Sequence, residues 1–232
     1  MTIHYIYHSC FAVTTETALI VFDYWQDSDD GMLHRLIAGR GDRRLYFVVS
    51  HFHEDHYNAE ILDFADARLL VSYDTARRRH IASDRATAVL RPGQVYEDEC
   101  LSLRAVRSTD VGISSLVTLP DGTRLYHAGD NNNWYFPQDP GEHIHCSLKE
   151  MEGLFLSTVR EVKGLAQNVD YVMLPVDPRL GDEILRGPRQ WLKAIKTGHF
   201  YPMHCWEQWD AVGKAIEQLR VEFPKVEFVS LP

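Results

Sequence analysis

Cysteine is scarce in this chain, and its cysteines do not stand in a pattern that indicates pairing. The 232 residues contain four of them: Cys10, Cys100, Cys146 and Cys205. Their separations exclude the paired spacing of a zinc ribbon or of a thioredoxin-like redox motif. Because a disulfide framework is typical of small secreted proteins, we predict buried free thiols, although the even number leaves disulfides open.

Long hydrophobic runs and a basic leader are also missing. No apolar run approaches the ~20 residues that cross a bilayer. Residues 1–5 lack the basic start and apolar middle of a signal peptide. From these absences we expect a cytoplasmic protein that does not associate with a membrane.

Positive charge is in deficit, since 24 Lys and Arg residues stand against 33 Asp and Glu residues, for a formal net charge of −9. Because binding to a phosphate backbone needs a basic face, nucleic acid is disfavoured as a partner. A small-molecule substrate is expected instead, and homo-oligomer formation is left open. The hydrophobic content of 45% supplies a core and excludes a disordered chain.

Metal-binding side chains are concentrated directly after a predicted strand. Residues 45–49 are apolar and β-branched, which indicates a buried strand, and His51, His53, Asp55 and His56 follow it. Imidazoles and carboxylates are common ligands of divalent ions. On an extended or turning backbone, His51 and His53 can point at one ion, while Asp55 and His56 face a second. A solvated His-rich loop is the simpler alternative, but this density of ligands favours a metal site.

The pattern His-x-His-x-Asp-His after an apolar strand resembles the metallo-β-lactamase superfamily, most of whose members are binuclear metal hydrolases. Two later positions follow the same order. Asp130, in a Gly-Asp pair that ends a predicted strand, matches the carboxylate that bridges the two metals in that superfamily. His204, at the end of the predicted strand over residues 198–204, matches its last ligand.

One ligand of the superfamily pattern is replaced in this chain. The resemblance implies that His51 and His53 hold the first ion with a further histidine, but the corresponding segment reads Ser-Thr-Asp at residues 108–110. Asp110 is the predicted substitute. The alternative is that the first site has only His51, His53 and the bridging Asp130, and is weak. The resemblance assigns the second ion to the remaining ligands, Asp55, His56 and His204.

The resemblance also implies the fold and the cofactor. It predicts a four-layer αββα sandwich over residues 1–232 as a single domain, with two mixed sheets face to face and the helices outside. Strands and helices in two similar halves are compatible with this architecture but do not specify it. Two divalent metal ions are expected. Zn²⁺ is favoured, with Mn²⁺ or iron as alternatives because a carboxylate at Asp110 suits harder ions.

The predicted activity is hydrolysis of a small ester, lactone or phosphodiester by a metal-bound hydroxide that Asp55 orients. The opening strands resemble the lactonase and phosphodiesterase branch of the superfamily. Because one scaffold supports many chemistries, two alternatives stay open. The first is a degenerate or non-hydrolytic metal-binding protein, including a redox protein with iron. The second is a nuclease, which the acidic charge disfavours.

Several other residues are candidates for the surroundings of the site. Asp23, at the end of a predicted strand, either supports a metal ligand or ends a turn. Trp134, Tyr135, Asp177 and Arg179 lie on predicted loops that border the pocket. Arg179 either grips an anionic substrate or forms an ion pair with Asp177.

The remaining histidines of interest are predicted to lie outside the site. His80 falls in a predicted helix, and His127 falls inside a predicted strand and is expected to pack in the interior. His143 and His145 begin a predicted helix. Residues two apart on a helix face different directions, so these two are predicted to be surface or capping residues.

Overall fold

The computed structural model describes residues 1–136 and 147–231, and it contains two mixed β-sheets. Strands 1–6 form the first sheet in chain order. The first three of them pair antiparallel and the rest parallel. These strands are β1 (Thr2–Tyr7), β2 (Cys10–Thr14), β3 (Ala18–Phe22), β4 (Arg44–Val49), β5 (Arg68–Ser72) and β6 (Ala88–Leu90).

The second sheet has seven strands in the order 13-12-11-10-9-8-7. Strands 7–10 pair antiparallel, and strands 10–13 pair parallel. The strands are β7 (Val95–Glu97), β8 (Ser102–Val106), β9 (Ser114–Thr118), β10 (Arg124–His127), β11 (Asn168–Pro175), β12 (Lys196–Met203) and β13 (Glu227–Phe228). Five α-helices accompany the sheets in the described residues: α1 (Met32–Ala38), α2 (Tyr73–Arg78), α3 (Leu148–Leu165), α4 (Arg186–Ala194) and α5 (Trp209–Glu222).

Side chains of β3 alternate between two apolar layers, which explains its uninterrupted hydrophobic sequence. Ile20 and Phe22 join the core shared with the second sheet, whereas Leu19 and Val21 pack in the layer that contains Leu33 of α1. A strand buried on both faces reads as a continuous apolar run rather than an alternating one.

The second sheet is likewise covered on both faces. His127 of β10 stacks on Phe22 of the first sheet, with ring centroids 4.9 Å apart. The preceding residue, Tyr126, stacks on Trp191 of α4 at 4.3 Å. Because successive residues of a strand point to opposite faces, α4 lies on the outside of the sandwich. The predicted αββα architecture is confirmed, and the single domain over 1–232 stays a prediction.

The sequence also predicts helices over residues 59–64 and 183–196, and the structure has shorter elements in both places. Residues 59–64 form only a 3₁₀ turn over Ala59–Leu62, which Asn58 caps through its side chain. The helix predicted over 183–196 is α4, and it begins at Arg186 after a separate 3₁₀ segment, Pro178–Glu183. Pro188 lacks an N–H and is tolerated only in the first helical turn, so α4 begins just before it.

The cysteines agree with the prediction of buried free thiols. Cys10, Cys100 and Cys205 are free and buried, and Cys146 lies outside the described residues. Within the described part of the chain, no helix combines the length and the apolar character that spanning a membrane requires.

Candidate metal centre

The seven predicted metal ligands lie at one edge of the sandwich, on loops that follow the carboxyl ends of strands. His51 follows β4, Asp110 follows β8, Asp130 follows β10 and His204 follows β12. Their donor atoms fall into two clusters, and within each cluster the atoms lie within 4.8 Å of one another. The first cluster contains His51, His53, Asp110 and Asp130, and the second contains His8, Asp55, His56 and His204.

Asp130 stands between the two clusters and presents one carboxylate oxygen to each. Its Oδ1 lies 3.0 Å from His56 Nε2 and 3.4 Å from His204 Nε2. Its Oδ2 lies 3.6 Å from His51 Nε2. This is the arrangement expected of a carboxylate that bridges two cations.

Asp110 lies within the first cluster, where the superfamily pattern has a histidine. Its Oδ2 is 3.4 Å from His53 Nδ1 and 3.6 Å from His51 Nε2. Gly112 permits this approach because its φ is +77° and a Cβ there would lie 2.1 Å from the Ser50 carbonyl oxygen. Only a glycine at position 112 lets the loop that contains Asp110 pass so close to Ser50 and His51.

The second cluster is arranged around Asp55. Asp55 Oδ2 lies 3.5 Å from His8 Nε2, 3.6 Å from His204 Nε2 and 3.7 Å from His56 Nε2. Donor atoms bound about 2.1 Å from one tetrahedral ion would be roughly 3.4 Å apart. The spacing in this cluster therefore suits a single divalent ion.

Three of the imidazoles are oriented by an oxygen that contacts Nδ1 and leaves Nε2 directed into the centre. Such outer partners fix the ring and the tautomer of a metal-binding histidine. The pairs are His51 with Ser50 Oγ at 2.9 Å, His56 with Asp23 Oδ2 at 2.8 Å and His204 with Asp177 Oδ2 at 2.8 Å. The sequence leaves two roles open for Asp23, and its contact with His56 favours the role in which Asp23 orients a metal ligand.

Arg179 has a partner and also reaches the pocket. Its guanidinium lies 2.6 Å from Asp177 Oδ2 and packs over the Trp206 ring at 4.7 Å. The predicted ion pair with Asp177 is therefore present. Because Asp177 also contacts His204, Arg179 is connected to the metal centre through one buried carboxylate.

Five buried polar atoms of the centre have no partner in hydrogen-bonding geometry among the described residues. They are the Nε2 atoms of His8, His51, His56 and His204, and Oδ1 of Asp130. An unsatisfied buried polar group costs about 1–3 kcal/mol, so five directed at the same place would be destabilising unless they bind something. Nitrogen and carboxylate donors in this arrangement fit divalent metal ions.

The charge states suit a cation. Burial raises the pKa of Asp130, but the neighbouring imidazoles of His56 and His204 outweigh this effect and hold it well below its usual range. Burial lowers the pKa of His204, but carboxylates led by Asp130 raise it to about 10, so without a metal this ring carries a proton that a bound cation would displace. Burial lowers the pKa of His51 to about 3, so this ring is neutral at neutral pH, as a metal ligand must be.

A cavity of about 230 Å³ opens beside the first cluster. It is lined by His53, Thr109, Asp110, Asp130, Trp134, Phe136, Met151 and Arg179. Tyr135 is not part of this lining and instead lies against the Arg186 guanidinium, 4.7 Å from the ring centroid. A larger cavity, of about 510 Å³, lies beside Arg44, Arg68 and Arg85, away from both clusters.

The other histidines are placed largely as predicted. His127 is buried, and its Nε2 lies 2.8 Å from the Ser9 carbonyl oxygen. His80 is exposed, just after α2. His143 and His145 lie outside the described residues. His8 is the cluster residue that the sequence analysis missed, because a single histidine between two short strands carries no spacing signal.

Comparison with known proteins identifies the family. The family described as "Beta-lactamase superfamily domain" matches residues 2–204. No curated protein sequence matches the chain significantly. Among solved structures, a novel metallo hydrolase from the hyperthermophilic archaeon Ignicoccus hospitalis KIN4/I, Igni18, matches with a TM-score of 0.66 and 16% identity, covering 99% of this chain and 94% of that one.

Two further structures share the fold. CmlA, a diiron beta-hydroxylase from Streptomyces venezuelae, matches with a TM-score of 0.63 and 12% identity over 99% of this chain and 52% of that one. A possible metal-dependent hydrolase from Veillonella parvula DSM 2008 matches with a TM-score of 0.53 and 12% identity over 99% and 96%. At these identities the likeness shows the fold alone. From the family match over most of its length, the chain belongs to the metallo-β-lactamase superfamily.

Proposed function

We propose that this protein is a metal-dependent hydrolase with a binuclear site, acting on a small ester, lactone or phosphodiester. The observation that carries the proposal is the position of Asp130, which presents one oxygen to each of two clusters of buried donor atoms. Two donor clusters joined by one carboxylate suit a pair of divalent ions better than a single ion.

The proposed ligand set follows the clusters. His51, His53 and Asp110 hold the first ion, Asp130 bridges, and the second ion is held by Asp55, His56 and His204. Divalent ions in such a site lower the pKa of a coordinated water towards neutrality and so supply a nucleophile. Zn²⁺ is the favoured metal because imidazole and carboxylate are its usual nitrogen and oxygen ligands, with Mn²⁺ or iron as alternatives.

The residues that line the cavity indicate which chemical groups a fitting substrate has. Trp134 and Met151 provide apolar surface, and Arg179 adds a positive charge at the same wall. The cavity volume of about 230 Å³ suits a small molecule. We therefore propose that an apolar group of the substrate packs on Trp134 while a carbonyl or phosphoryl oxygen faces Asp110 and His53.

The experiment that tests this function combines metal removal with a small substrate panel. Protein treated with a chelator and then reloaded with Zn²⁺, Mn²⁺ or Fe²⁺ is assayed on p-nitrophenyl acetate, a γ-lactone and bis(p-nitrophenyl) phosphate. We expect hydrolysis of at least one substrate that disappears on chelation and returns with metal. Asp130→Asn should lower the rate at least about 100-fold, whereas the exposed Asp121→Asn should not. Metal-loaded protein inactive on all three substrate classes contradicts the proposal.

A second candidate function is oxidative chemistry at an iron site. It is favoured by the first cluster, in which the carboxylate of Asp110 stands where the superfamily pattern has a third histidine, because carboxylates suit harder ions. One solved structure with this fold is a diiron beta-hydroxylase. Iron-loaded protein that consumes O₂ with substrate, but shows no hydrolysis with any metal, would favour this candidate over the hydrolase.

A further inference from the structure

His8 lies in the centre without having a role in the ligand set proposed above. It occupies the turn between β1 and β2, and the residue is only 3% exposed. Its Nε2 has no hydrogen-bond partner among the described residues and lies 3.5 Å from Asp55 Oδ2. A buried ring nitrogen of this kind needs a hydrogen-bond partner or a bound ion.

The main chain holds His8 in a fixed position relative to His204. The φ of His8 is +53°, in the left-handed region that few non-glycine residues adopt. Its N–H donates to Tyr5 Oη at 2.8 Å, and its carbonyl accepts the His204 N–H at 3.2 Å. The backbone of His8 is thus strained and hydrogen-bonded to His204, a residue of the same cluster. Such strain is typical of functional sites, where the surrounding structure holds side chains in position.

Aromatic rings pack closely against the His8 ring and hold it in place. The His8 ring packs against His204 at 4.3 Å, against Trp206 at 4.5 Å and against Trp25 at 5.5 Å. The Nε2 atom lies near Asp55 Oδ2 and shares the second cluster with His56 and His204.

The geometry points to His8 as a metal ligand of the second cluster, alongside Asp55, His56 and His204. This inference rests on the proposed binuclear centre and adds a donor to it. With the bridging oxygen of Asp130, the second ion would have five protein donors, a coordination number that zinc sites can reach. A simple hydrogen bond from His8 to Asp55 is the competing interpretation, but 3.5 Å exceeds the ordinary N–H···O range of about 2.7–3.2 Å.

With His8 as a ligand, the donor sets of the two sites differ from those of the superfamily pattern. Apart from the bridging Asp130, which serves both sites, the first cluster has two imidazoles and one carboxylate, and the second has three imidazoles and one carboxylate. The third imidazole that the superfamily pattern places in the first site is thus supplied to the second. Imidazole-rich sites favour Zn²⁺ and carboxylate-rich sites favour harder ions, so the two sites differ in metal preference.

The placement of the cavity agrees with such a division. His53, Asp110 and Asp130 of the first cluster line the cavity, whereas His8, His56 and His204 do not. The first site is therefore the one that faces substrate, and the second is the enclosed and more tightly held site.

The test compares His8→Asn with the wild type. Asparagine tolerates the left-handed conformation, so the turn is kept while the imidazole is removed. Zinc content is measured after dialysis by plasma mass spectrometry, and zinc affinity by competition with a chromophoric chelator. We expect about two ions in the wild type and about one in the variant, because losing the His8 imidazole should lower the zinc affinity of the second site by about 10–100-fold. The matched control is His80→Asn, since His80 has a φ of +52° but is exposed and outside both clusters.

The outcomes separate this inference from the proposed function. Two ions of unchanged affinity in His8→Asn would overturn the role of His8 and leave the binuclear hydrolase standing. Fewer than two ions in the wild type would contradict the binuclear function itself. In that case, or if His8→Asn does not fold, zinc is titrated into ¹⁵N-labelled wild-type protein. A zinc-dependent shift of the His8 Nε2 resonance supports ligation, and an unmoved resonance overturns it.

Discussion

Asp23 Oδ2 lies 2.8 Å from Nδ1 of His56, and both side chains are fully buried. Asp23 ends the third strand of the first sheet, while His56 closes the metal-binding motif 33 residues later. The contact therefore decides which nitrogen of His56 faces the centre. Burial raises the pKa of Asp23, but nearby imidazoles led by His56 outweigh this effect and lower it, so the carboxylate is ionised.

The first prediction concerns this contact. Asp23→Asn removes the charge while keeping the size of the side chain, and we expect zinc affinity to fall about 10–100-fold because His56 loses its orienting carboxylate. The measurement is chelator competition. Asp42→Asn, at an exposed position, is the control. An affinity within twofold of the wild type would mean that Asp23 only supports the loop of Ser50, to which it is also hydrogen-bonded.

The second prediction concerns Asp110. Asp110→Ala should lower the metal content from about two ions to about one, because two imidazoles and a bridging carboxylate hold the first ion weakly. Asp110→His restores the imidazole of the superfamily pattern and should retain two ions, with a stronger preference for Zn²⁺ over Mn²⁺. Plasma mass spectrometry on both variants checks this result. Unchanged metal content in Asp110→Ala would exclude Asp110 as a ligand.

The third prediction separates steric clash from backbone strain. Gly129 has a φ of +52°, and a Cβ there would lie 2.7 Å from Cβ and Oγ of Ser50, whereas Gly122 has a φ of +87° and open space around it. Gly122→Ala should lower the free energy of unfolding by about 1 kcal/mol from strain alone. Gly129→Ala should cost about 3 kcal/mol or more, since the loop of Asp130 must also shift. Urea denaturation measures both, and equal costs would contradict the close packing.

The fourth prediction concerns pH and a group distant from the metal centre. His34 Nδ1 lies 2.6 Å from Asp27 Oδ2, and its Nε2 lies 2.6 Å from Glu60 Oε1. Hydrogen bonds to Asp27 and then Glu60 raise the pKa of His34 above 6.5. The resulting stabilisation is fully present below pH 6.5 and is lost as the pH rises through the raised pKa. Because the ring is half exposed, it contributes no more than about 1 kcal/mol.

The measurement for His34 is the difference in free energy of unfolding between the wild type and His34→Gln. We expect this difference to be larger at pH 5.5 than at pH 9. Taking the difference cancels the titration of the metal centre, which both proteins share. A difference that grows with pH would show that the His34 contacts do not depend on its protonated form.

Local pattern in the sequence determined much of the architecture. The apolar residues 45–49 are strand β4, which begins one residue earlier at Arg44. Apolar residues recur at the three-and-four spacing that predicts a helix at Leu148, Met151, Phe155, Val159 and Val162, and all five lie in α3, Leu148–Leu165. These predictions rest on periodicity, which is a property of neighbours along the chain. The boundaries near Glu183 were harder because Gly181 interrupts the helical backbone there.

The sequence also determined the order of the metal-binding residues, because the motif from His51 to His56 and the later Asp130 and His204 follow strand ends in a known order. Tertiary structure alone decided which oxygen of Asp130 faces which cluster, and that Asp177 orients His204. It also brought His8 within reach of His204, 196 positions later in the chain. These contacts join different sheets at one edge of the sandwich, and no local periodicity encodes a distance across two sheets.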